Sequence, residues 1–88
     1  MRFVVLFRFD TKPTKAGSAE RDKNIAMAEK LGIKITAMYM TFGRYDAVAV
    51  VEAPDEKAVL KMLLKLPDSL HTETLLALSA EESDKLLG

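Results

Sequence analysis

His71 is the only histidine in the chain, and its imidazole is the one side chain that would move a proton near neutral pH without a special environment. Three other groups have the chemistry to serve a ligand. Arg8 offers an anion contact, Tyr39 a phenol able to line a cavity, and Asp46 a carboxylate that can accept a hydrogen bond or act as a base. Nothing in their spacing makes them a catalytic set. There is no nucleophile paired with a base, and one histidine among scattered carboxylates has no metal-ligand spacing. No catalytic residue, metal or cofactor is therefore assigned, and Arg8, Tyr39, Asp46 and His71 stand as candidate ligand-binding residues.

Each candidate also has a structural reading. Arg8 interrupts an apolar run, and a buried charge must be paired or wetted, so it is expected to meet Asp46, Glu52, Glu73 or a bound anion. Asp46 is expected to accept a hydrogen bond from Thr41 across a strand pair or from nearby backbone. Tyr45 is expected to pair with Phe42 as cross-strand aromatics. His71 begins an edge strand, where exposure is ordinary. Met27, Met38, Met40 and Met62 read as adaptable core fillers.

The elements that must carry these residues follow from hydrophobic pattern. Phe3 to Phe9 is apolar on both alternating faces, as in a central strand covered on two sides. Asp10 to Gly17 reads as a loop around Pro13. A helix is predicted from an N-cap at Ser18 to Leu31, burying Ile25, Ala28 and Leu31, with Gly32 as its stop. Strands are predicted over 33–42 and 45–53, joined by Gly43-Arg44 as a type II′ turn with glycine at the position of positive φ. Asp55 caps a second helix that runs to about Leu66 and buries Val59, Met62, Leu63 and Leu66. A last strand covers 70–78, and Ser79 to Glu82 is a capping box opening a short C-terminal helix.

The order βαββαβ plus a terminal helix is the α+β ferredoxin-like pattern of two split βαβ units: a four-stranded antiparallel sheet with two helices on one face. Residues 1–88 read as a single domain. Strands one and three, the central pair in this fold, are the most apolar, while Lys34, Thr36, His71, Thr72, Glu73 and Thr74 fall on the edges. The hairpin register sets Met38 opposite Ala49, Tyr39 opposite Val48, and Met40 opposite Ala47. One face then carries Met38, Met40, Ala47, Ala49 and Val51, where the alanines would admit a helix closely. The other carries Ile35, Ala37, Tyr39, Thr41, Asp46, Val48, Val50 and Glu52. Two helices cover only one face, so the second is expected to meet another copy of the chain across a twofold axis. The competing expectation is that the C-terminal helix folds back over it through Leu86 and Leu87.

Composition narrows the partners. Thirteen basic residues balance thirteen acidic ones, so no overall field draws the chain to nucleic acid or anionic lipid, and no apolar run is long enough for a membrane helix. The absence of cysteine excludes disulfides and thiolate chemistry and agrees with a reducing, cytoplasmic location.

The segment Met38-Tyr39-Met40-Thr41-Phe42-Gly43-Arg44-Tyr45-Asp46-Ala47 through Asp55, followed by His71-Thr72-Glu73-Thr74, resembles the GYD-domain family, whose name matches Gly43, Tyr45 and Asp46 here. The resemblance implies a ferredoxin-like fold of the dimeric α+β barrel type and no particular activity. A more distant likeness, Gly-x-Tyr-Asp entering the third strand, links the chain to the ligand-binding domains of leucine-responsive regulators. Two functions are consistent with the residues: a homodimer or higher homo-oligomer that binds a small molecule or another protein, or a cofactor-independent enzyme of the monooxygenase or isomerase kind that such barrels include. The enzyme is the weaker reading, because so short a chain is expected to leave little volume for a pocket.

Overall fold

The computed structural model describes residues 1–88. Strand β1 spans Arg2–Phe9, helix α1 Lys15–Lys30, β2 Lys34–Met40, β3 Ala47–Glu52, α2 Glu56–Lys65, β4 Leu70–Ala77 and α3 Ala80–Leu86. The strands form one antiparallel sheet in the order β2-β3-β1-β4, so the two most apolar strands are central, as their composition predicts.

One face of the sheet packs on α1 and α2. Val5, Val51 and Ile33 are almost wholly buried there, with Ala28 from α1 and Val59 and Met62 from α2. The cap of α2 is as predicted, with Asp55 accepting from the Ala58 N–H at 2.9 Å. Helix α1 starts earlier than predicted. Thr14, not Ser18, is its N-cap and accepts from the Gly17 N–H at 3.0 Å, so Gly17 lies in the first turn instead of ending a loop. Thr14 is the first hydroxyl after Pro13, and a capped helix can tolerate one early glycine.

The β2–β3 register is the predicted one at Met38–Ala49, Tyr39–Val48 and Met40–Ala47. Two details differ. A bulge at Thr36 sets Ile35 opposite Val51 and Ala37 opposite Val50, which turns Ile35 to the helix-covered face. The connection is also wider than a two-residue turn. The last backbone bond runs from the Thr41 N–H to the Asp46 carbonyl at 2.9 Å, leaving Phe42 to Tyr45 as a four-residue loop. The Thr41 hydroxyl donates to the Tyr45 carbonyl at 2.6 Å and holds that loop open. Gly43 has a φ of 136°, which still demands glycine, although not in the turn type predicted.

The second face of the sheet is uncovered. It presents Val4 and Leu6 of β1, Ala37 and Tyr39 of β2, Val48 and Val50 of β3, and Leu75 of β4. Helix α3 does not fold over this face: it buries no residue, and Leu86 and Leu87 are 75% and 84% exposed. Its capping box is as predicted, and Glu82 ties the helix to Arg2 at the rim of the sheet.

Candidate functional site

The four candidate residues do not converge. Arg8 and His71 are cross-strand neighbours at one end of the uncovered face. Tyr39 lies two strands from β1, 63% exposed, and Asp46 is taken up by backbone, accepting from the Phe9 N–H at 2.7 Å. Of the two expected donors, Thr41 or backbone, the structure has backbone, supplied by the end of β1. Arg8 is not buried and has no carboxylate within ion-pair reach, which corrects the expectation of a salt bridge. Its strand is central, but the face it points from is open to water, so no partner is required.

Two polar pairs surround Arg8. The Tyr45 hydroxyl donates to Glu73 on β4, and this bond raises the phenol's pKa above its ordinary value. The expected pairing of Tyr45 with Phe42 does not occur, because the wide loop leaves Phe42 wholly exposed and lets Tyr45 reach across β1. On the other side, His71 Nε2 lies 2.7 Å from Asp10 Oδ1. Glu73 and Asp10 are the members of these pairs that sequence spacing alone does not single out. Both contacts depend on strand order, which joins residues far apart in the chain. No three His, Asp or Glu side chains approach a common point.

A concavity lies on the opposite face. A cavity of about 410 Å³ lies between the sheet, α1, α2 and the loop from Asp10 to Thr14. Its floor is Val5, Phe7, Ala47, Ala49 and Val51, and its walls include Ile25, Met38, Met40, Met62 and Leu66. The mouth is polar, with Asp10, Lys12, Thr14, Ser18, Arg21 and Asn24. Basic and acidic groups there balance, since Lys12 and Arg21 stand with Asp10 and Glu20. None of Arg8, Tyr39, Asp46 or His71 lines it, and its volume overturns the expectation that so short a chain has little room for a pocket.

The origin of the cavity is local. Ala47 and Ala49 are adjacent helix-facing positions of β3, and the segment of α1 above them carries small and polar residues from Ala16 to Asn24. The alanines therefore leave space where a closely packed helix was expected.

Fold and site together define a class: an α+β ferredoxin-like domain with one covered and one open sheet face. The chain belongs to the GYD domain family, whose model matches residues 3–87. No curated protein matches it significantly. Among solved structures it is similar to the protein TTHA0845 from Thermus thermophilus, at 26% identity and TM-score 0.55, covering 90% of this chain and 94% of that one. It is also similar to muconolactone isomerase at 18% identity and TM-score 0.51, covering 91% and 93%. The second likeness is one of fold. No helix is long and apolar enough to cross a membrane.

Proposed function

We propose that this single GYD domain binds a small molecule in the chamber between its helices and sheet, and that it works as a homodimer, or a higher homo-oligomer built from that dimer, through its open sheet face. The observation that carries the reading is the chamber itself: about 410 Å³ with an apolar floor and a polar mouth, within the size range of small-molecule sites. Its interior has no charged group and its mouth balances cations with anions, which suits a compact, uncharged apolar molecule with one polar end. The absence of cysteine supports a cytoplasmic setting.

Filling the chamber tests this. Ala47 lines it but stands outside the main core cluster, so Ala47→Phe should occupy the space and leave the melting temperature unchanged or higher. Titration with the uncharged fluorophore N-phenyl-1-naphthylamine should show one site per chain in the wild type and at least about tenfold weaker binding in the variant. A variant that binds the dye as tightly as wild type contradicts the reading. So does a destabilisation of about 1–3 kcal/mol, the cost of overpacking a filled core.

A cofactor-independent enzyme is the second reading, and one observation supports it: Asp10 of the His71–Asp10 pair also lines the chamber mouth. In that case His71 would orient or deprotonate the bound molecule through Asp10 at the entrance.

A further inference from the structure

The walls of the chamber are held unequally. Val5, Val51, Ala28 and Met62, on its inner side, belong to the core and are at most 5% exposed. At the mouth every residue from Thr11 to Lys23 is exposed, although Thr14, Gly17, Ser18 and Arg21 line the chamber. Burial along α1 begins only at Asn24 and Ile25, which are half-buried, and is complete at Ala28. The front half of the helix, Lys15 to Lys23, has no apolar stripe to dock it. Its first turn contains no acidic residue and starts with Lys15, against the helix dipole. Its ion pairs, Glu20 with Lys23 and Arg21 with Asp22, are exposed, 3.8 Å long and worth little. The Thr14 cap is its main tie. The loop before it is fixed at its start, where the Asp10 N–H donates to the Ser69 carbonyl at 3.2 Å and the Asp10 carboxylate pairs with His71.

We infer that the segment from Thr11 to Lys23 is the gate of the chamber: it unwinds between two fixed points, Asp10 and Asn24, to admit the small molecule and rewinds over it. This rests on the small-molecule chamber proposed above and specifies how it is entered. Every other wall is hydrogen-bonded sheet or buried helix, so the front half of α1 is the side that opens at least cost. Unwinding stops at Asn24 because the next turns are packed on the core, and the intact back half serves as the template on which the front half rewinds without a new nucleus. A bound molecule supplies the surface that the front half otherwise lacks, so occupancy and closure favour each other.

Two substitutions that do not line the chamber move the gate in opposite directions, and stopped-flow binding of N-phenyl-1-naphthylamine reads the result. Lys15→Glu places an acid in the first turn and should slow both association and dissociation by about threefold, leaving Kd unchanged. Lys23→Pro breaks the helix at the hinge, with Asp22 as a new N-cap for the back half, and should speed both by about tenfold or more. Amide exchange adds a readout that needs no substitution. In the free protein the 19–23 amides should exchange at least about tenfold faster than those of 27–31, and saturating dye should slow them by at least about tenfold. If the wild type binds the dye but Lys15→Glu leaves both rate constants unchanged, or if the two halves of α1 are equally protected in the free protein, the gate is wrong while the chamber stands. A wild-type chain that does not bind the dye overturns both.

Discussion

Asp46 shows how a residue with catalytic chemistry can be spent on structure. It stands where β3 begins, and its carboxylate accepts the Phe9 N–H at the end of β1, while its own N–H donates to the Phe7 carbonyl at 2.8 Å. It therefore closes the end of the central strand pair beyond the last registered residues. Asp46→Ala should remove a charged acceptor from a part-buried amide and cost about 2 kcal/mol, seen as a fall of roughly 10 °C in melting temperature; an unchanged melting temperature would free Asp46 for a ligand role. A backbone role for this residue was legible in its sequence context, although the donor was not. Tyr45 was less legible. Its bond to Glu73 spans from the hairpin loop to the far edge strand, and no local pattern encodes a contact that depends on β1 lying between β3 and β4.

Among the elements, those with strong local signals are where the sequence places them. Asp55 before an amphipathic run and Ser79 three residues before Glu82 each supply an oxygen for a free helical N–H, so α2 and α3 begin as predicted. The weaker signals mislead for identifiable reasons. Thr14 and Ser18 can both cap α1, and Gly17 between them looks like a break. The bulge at Thr36 has no glycine to announce it; the Thr36 hydroxyl donates to the Val50 carbonyl at 3.1 Å and stabilises it locally. That single extra residue moves Ile35 from the open face to the core side.

Helix α3 has a pH dependence of definite sign. The Ser79 backbone bond first, then the Ser79 hydroxyl and Arg2, hold the Glu82 carboxyl below its ordinary value of 4.5. Because the folded pKa is depressed, the stabilisation is complete above the unfolded value and is lost as the pH falls through the folded one. Protection factors across α3, which correct for the intrinsic slowing of exchange in acid, should therefore fall on acidification through the carboxylate range before those of the β1–β3 amides respond. Uniform protection of α3 down to the acid unfolding transition would show that Glu82 does not anchor it.

For the whole molecule, strand order was readable because the first and third strands are the most apolar, as the central pair of this fold is expected to be. The uncovered face followed from arithmetic, since two helices cannot cover both sides of a four-stranded sheet. The chamber did not follow. Two alanines under a helix admit either close approach or empty space, and which one results depends on how α1 is carried by its loop and by the bulged β2. The structure thus separates two surfaces that residue pattern alone merges: the open sheet face, proposed to meet a second copy, and a cavity on the opposite side, proposed to hold a small molecule.

Native mass spectrometry of freshly purified protein tests both halves of that account in one spectrum. A dimer with a retained small molecule of up to one per chain is predicted, with Ala47→Phe giving the same dimer without the adduct. A monomer at micromolar concentration, or an adduct held equally by the filled variant, would contradict it.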